Sequence, residues 1–122
     1  MFRGKLFPCV PLADLNPSEL EIVRDCLRAS VEGPFFPDWE FFTLFGLTRD
    51  ELKQILAFWP NLNEADKSVM LAINNSFNNL IGYPHGMHDS WSEFVPVSAK
   101  ELHRIFVKWR GASIQNYVDG MM

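Results

Sequence analysis

Three short motifs say where helices begin in this chain, and nothing else in it constrains the fold as tightly. Asn16 with Glu19, Thr48 with Glu51 and Ser98 with Glu101 each place a capping residue three positions ahead of a glutamate. In such a box the first side chain accepts from the N3 backbone N–H, and the glutamate reaches back to the N-cap N–H. Two donors that open a helix are thereby satisfied together. Pro17 follows Asn16 at the first helical position, where its missing N–H costs nothing. The boxes predict a helix from Pro17 to about Val31, stopped before Gly33-Pro34, with Leu20, Val23, Leu27 and Val31 inward and Glu21, Asp25, Arg28 and Glu32 in solvent. They predict a second from Arg49 to about Trp59, ended by Pro60, and a last one to about Arg110, with Gly111 beyond.

Weaker signals add two more. Asp38, after Pro37, is expected to cap a short aromatic helix closed by Gly46. Asn63 is expected to cap a long helix from Glu64 to Ile81, with Gly82 in the C′ position where a left-handed residue is wanted. Alternating strand patterns are scarce. Phe94–Val97 and the first dozen residues could be extended, but Pro96, Pro8 and Pro11 weaken them. The expectation is all-α: residues 1–122 as a single compact bundle of about five helices, with a long Pro/Gly-containing loop before the last. A hydrophobic share of 48%, with 11 Phe and 4 Trp, is enough to fill one core.

Charge narrows the function classes. Acids outnumber bases 15 to 11, a poor basis for neutralising phosphates, so nucleic acid is not an expected partner. From Asp14 to Glu51 the net charge is −6, whereas Ser98–Ala112 carries +3, a two-ended distribution suited to charge-steered docking. No apolar run reaches the ~20 residues a membrane span needs, and the N-terminal stretch is too broken by prolines for a secretory signal. Cys9 and Cys26 lack metal or redox spacing and read as reduced. A cytoplasmic protein is expected, with no membrane partner and no cofactor.

The long helix carries the least ordinary pattern. Asn74, Asn75, Asn78 and Asn79 form two i,i+4 ladders opposite the apolar face of Val69, Met70, Ile73, Phe77, Leu80 and Ile81. Asparagine is about 0.5–0.7 kcal/mol worse than alanine inside a helix, so something must favour four of them. Two covers fit this neutral face. One is the chain's own Tyr83–Val97 loop, whose backbone groups the amides could satisfy; the other is a partner protein, since interface cores are depleted in charge.

The loop that follows contains His85-x-x-His88-Asp89, three metal-capable side chains within five residues. The pattern lacks the helical register that makes HExxH specific, so a structural or surface role outweighs a metal or acid/base site. Six aromatics crowd Phe35–Phe45. Core filling is the first reading for them and an interface the second. Lys100, Arg104 and Lys108 make a basic stripe beside Leu102, Ile105, Phe106 and Trp109, read mainly as a solvated face. The Phe45–Leu52 corner has the outline of a helix-turn-helix. A reading helix that opens Arg49-Asp50-Glu51 would thrust two carboxylates at DNA, so a tight αα corner is preferred. No catalytic signature is present, and only the histidine loop keeps an enzyme in view.

Tyr83-Pro84, the loop to Asp89-Ser90, and the exit Lys108-Trp109-Arg110-Gly111-Ala112 together resemble the C-terminal end of the colicin-nuclease immunity proteins. Those have a Tyr-Pro turn, a loop, and a final helix closing on a Trp-Arg-Ala type sequence. The likeness covers about a quarter of the chain and carries over only Tyr83 as a contact. Paired tyrosines are missing, and amides stand where acids would be. It implies a small bacterial helical protein that neutralises a toxin domain. The function expected is a non-catalytic protein-binding domain acting by steric occlusion. Its candidate partner-binding residues are Asn74, Asn75, Asn78, Asn79, Tyr83, His85, His88, Asp89 and Trp91, with no metal site. The alternatives are a metal-dependent protein built on His85, His88 and Asp89, and a helical subunit of a larger assembly.

Overall fold

The computed structural model describes residues 11–111; Cys9, Ala112 and most of the N-terminal stretch named above lie outside them. A 3-10 turn at Leu12–Asp14 leads into six α-helices, and the described residues contain no strand. They are α1 (Pro17–Glu32), α2 (Asp38–Phe45), α3 (Arg49–Ala57), α4 (Lys67–Gly82), α5 (Trp91–Phe94) and α6 (Ala99–Arg110). The all-α expectation holds. The added helix, α5, is one turn inside the loop before α6, preceded by a 3-10 turn at His88–Ser90.

Two of the three boxes form completely. Asn16 accepts from Glu19 N–H at 2.8 Å while Glu19 accepts from Asn16 N–H at 3.0 Å. Thr48 and Glu51 do the same at 3.1 and 2.8 Å. At α6 only half the box closes: Ser98 accepts from Glu101 N–H at 3.1 Å, and the Glu101 carboxylate turns instead to Arg104 at 2.7 Å.

Other boundaries differ from expectation. The long helix starts at Lys67, because Asp66 is its cap and accepts from Ser68 N–H at 2.9 Å. Asn63 makes only a local turn with Ala65, and the Glu64 carboxylate is drawn to Leu12 N–H at 2.8 Å. Gly82 is the last helical residue rather than a left-handed C′; extended Tyr83 ends the helix. Asp38 does not cap α2: its carboxylate is bound by Arg49, and Pro37 precedes the helix with no side-chain cap. Gly46 does close α2, at φ 72°.

α4 is the axis of the bundle, packed by α1, α3 and α6 and also by α2. Its apolar residues Val69, Met70, Ile73, Phe77 and Leu80 are buried with Val23, Leu27, Leu52, Leu102, Ile105 and Trp109. Phe77 stacks on Phe106 at 5.2 Å. The acidic and basic ends of the sequence meet here. Glu19, 3% exposed, accepts from Lys108 Nζ at 2.7 Å and from Arg104 at 3.3 Å, joining α1 to α6. The basic stripe stays on an exposed face, as expected, while two of its three cations, Arg104 and Lys108, also pair with Glu19. Lys108 beside Glu19 is the main reason its carboxyl lies below the usual carboxylate range.

Between α1 and α2 the chain turns at Gly33, where a Cβ would lie 2.6 Å from the Ala29 carbonyl and 2.7 Å from the Phe35 ring. That close approach seats Phe35 and Phe36 in the core.

Candidate functional site

The site is built around α2, eight residues long and too short to be stable by itself. Three sets of bonds hold it. From α3, Arg49 spreads its guanidinium over the end of α1 and the start of α2. It donates to the Ser30 and Val31 carbonyls at 3.0 Å, to Phe36 O at 2.7 Å and to Asp38 Oδ1 at 2.9 Å. The same cation lies 4.4 Å from the Phe41 ring centroid. From α4, Asn75 donates to Phe45 O at 2.8 Å and Asn79 to Leu44 O at 3.0 Å. These are carbonyls of the last turn of α2, which have no acceptor role within a helix that stops there. From the loop, Tyr83 donates its hydroxyl to Glu40 at 2.6 Å, a bond that raises the Tyr83 pKa.

Within this clamp the aromatic run divides cleanly. Phe35, Phe36, Phe41 and Phe45 are buried, with Phe41 and Phe45 stacked at 4.2 Å. Trp39 and Phe42, on the opposite side of the helix, are 81% and 61% exposed. Beside them Asp38, Phe41, Phe42, Thr48, Arg49 and Asp50 line a hollow of about 330 Å³. The sequence reading did not single out this exposed pair. The signal was available: Phe41 and Phe45 repeat at i,i+4 and define the inner face, which leaves Trp39 and Phe42 at i,i+3 outside.

The asparagines are placed differently from their wheel. Asn79 is 8% exposed and Asn75 half-buried, both turned to α2, whereas Asn78 is exposed. Asn74 donates to Asn75 and accepts from Arg110. What covers Asn75 and Asn79 is the C-terminus of α2, not the Tyr83–Val97 loop. The wheel presumed one packed side, and α4 has helices on two.

That loop packs elsewhere, on the aromatic cluster. The His85 ring centroid lies 4.9 Å from that of Phe35 and 6.1 Å from that of Trp91. His85 Nδ1 accepts from Met87 N–H at 3.0 Å, which puts the ring proton on Nε2, 3.4 Å from Leu80 O. Burial pushes the His85 pKa down. Trp91 donates its indole N–H to Val97 O at 2.8 Å and fastens the loop's far end. His88 and Asp89 are exposed. Among the described residues no group of three His, Cys, Asp or Glu side chains is arranged to hold a metal ion. Cys26 is buried, and its thiol pKa is raised by that burial. Among the described residues no helix is long and apolar enough to cross a membrane.

No protein-family model, curated protein or solved structure matches the chain.

Proposed function

We propose that this chain is a non-catalytic protein-binding domain that docks through the outer face of α2. The observation that carries the reading is Trp39, 81% exposed beside Phe42 on a helix whose inner groups are all fixed. Burying rings of this kind is worth about 1.5–3 kcal/mol each, a gain the isolated fold leaves unused. Trp is enriched at binding hot spots, and a helix already held in place loses little freedom on docking. Tyr83, bonded to Glu40, ties this helix to the loop that carries exposed His88 and Asp89. Asp38 at the hollow is paired with Arg49, which leaves Asp50 there, with a net charge of −4, to favour a basic partner.

A bacterial toxin domain neutralised by steric occlusion in the cytoplasm is the partner we favour, on the C-terminal likeness to immunity proteins. The test is affinity capture from the native host with the intact domain and with Trp39→Ala/Phe42→Ala. A protein retained by the first and lost by the second supports docking through α2, and equal retention rejects it. Co-expression with a toxin domain encoded beside the gene should restore growth. If it does not, the immunity role falls and the docking surface stands on its own result.

A further inference from the structure

We infer that the groove between α3 and the segment entering α4 receives a large apolar side chain from a basic segment of a partner protein. This rests on the protein-binding reading above and adds a second contact point, with the chemistry of what fills it. The groove has a volume of about 380 Å³. Leu47 and Val69, both buried, and the half-buried Ile55 and Leu62 form its apolar surface. Phe58, 69% exposed at the end of α3, extends that surface beyond the hollow. An occupant that covers both the hollow and this ring is a side chain carried on a larger apolar surface, not a compact solute.

The charge lining the groove has one sign. Glu51 and Asp66 line it, its other polar side chains are neutral, and no Lys or Arg is among its lining residues. Each carboxylate is held by a helix start: Glu51 Oε1 accepts from Thr48 N–H at 2.8 Å, and Asp66 Oδ1 from Ser68 N–H at 2.9 Å. Two fixed negative charges beside an apolar hollow select an apolar residue flanked by Lys or Arg and disfavour an acidic segment. The −6 net charge from Asp14 to Glu51 attracts the same partner from a distance.

The test titrates the isotope-labelled full chain with an amphipathic Leu–Lys peptide and with its Leu–Glu counterpart, following backbone amide resonances. The Leu–Lys peptide is expected to shift Leu47, Ile55, Leu62 and Val69, and the Leu–Glu peptide to leave them in place. Glu51→Gln with Asp66→Asn keeps the capping acceptors, so the fold is retained while both charges go. That double variant should bind the Leu–Lys peptide about fivefold more weakly, as two exposed ion pairs require. Phe58→Ala should weaken binding by at least as much. Shifts centred elsewhere, equal binding of the Leu–Glu peptide, or unchanged affinity in the double variant would overturn the inference. Trp39→Ala/Phe42→Ala should bind the peptide like the wild type, which separates the two readings. A groove silent to the Leu–Lys peptide, with partner capture still lost in the α2 variant, sinks the groove alone. A responsive groove with capture unaffected by the α2 variant sinks the α2 surface alone.

Discussion

Asn79 donates its side-chain amide to Leu44 O at 3.0 Å, linking the core of α4 to the last turn of α2 across 35 positions of sequence. The same amide group reaches Asn75 O at 2.9 Å, so both its donors are used. Asn75 serves the next carbonyl of α2, that of Phe45. The two side chains work as a cap supplied by another helix, which accounts for residues of poor helix propensity in the middle of α4. Asparagine supplies two N–H donors without charge, and a Lys there would have to be buried.

Asn79→Ala should therefore destabilise the domain by about 2 kcal/mol. The cost of a buried acceptor left unpaired exceeds the ~0.6 kcal/mol gained in helix propensity. Asn79→Asp should cost more, since a carboxylate at that place can only accept and would face two carbonyl oxygens. Asn78→Ala, at the exposed position, should be neutral or stabilising by about 0.5 kcal/mol. Urea denaturation of the three variants decides it; equal effects at positions 78 and 79 would remove the interhelical cap from the account.

The parts legible in the sequence were those governed by neighbours a few residues apart. The boxes at Asn16 and Thr48 and the left-handed Gly46 depend on local geometry, and they appear where the pattern puts them. Asn63 and Glu64 resemble a helix start equally well, but Glu64 is taken by Leu12 N–H, a contact 52 positions away. The asparagine face failed in the same way. A wheel shows which residues share a side, not how many sides are packed, and α2 covers the second side of α4. Arg49 reads in the sequence only as the first residue of a helix, yet its four hydrogen-bond acceptors come from the end of α1 and the entry to α2.

Arg49→Lys should destabilise the domain by about 2–3 kcal/mol even though the charge is kept. A single ammonium cannot reproduce the planar fork that meets Ser30 O, Val31 O, Phe36 O and Asp38 together. Because those groups seat α2, hydrogen exchange should speed up first in Asp38–Phe45. A variant with wild-type melting behaviour and unchanged protection in α2 would contradict the clamp.

Glu19 should give the domain an acid-sensitive hinge between α1 and α6. Its folded pKa lies below the unfolded value of 4.5, with Lys108 the largest cause. The stabilisation it supplies is complete above that unfolded value and is lost as pH falls through the lowered folded one. Glu19→Gln should cost about 2 kcal/mol at neutral pH, less than a fully buried pair because Arg104 and Lys108 are half in solvent. The same variant should show a shallower fall in stability on the acid side of pH 4.5. A parallel acid limb in wild type and variant would place the acid sensitivity elsewhere.

His85 supplies a second, separate pH response. Its Nδ1 accepts from Met87 N–H, so a proton arriving there meets a donor and breaks the contact. Burial lowers the folded pKa below the ordinary 6.5. The loop's stabilisation is thus intact above about pH 6.5 and lost as pH falls through the lowered folded value. The Trp91 indole N–H resonance, tied to Val97 O, should shift with His85 titration and stop responding in His85→Phe. An indole signal that stays constant while the His85 ring itself is seen to protonate would show the loop to be indifferent to this histidine.

Trp39 and Phe42 differ from all these residues in bearing no part of the fold. With most of each ring in water, Trp39→Ser and Phe42→Ser should change stability by no more than about 0.5 kcal/mol, against 3–5 kcal/mol for truncating a buried ring such as Phe41 or Phe45. Two large aromatics that can be removed without loss of stability are free to serve the docking face proposed for α2. Thermal melts of Trp39→Ser, Phe42→Ser and Phe45→Ala, read beside the capture experiment, separate the cases. Loss of stability in the first two would return both rings to the core and withdraw α2 as a docking face.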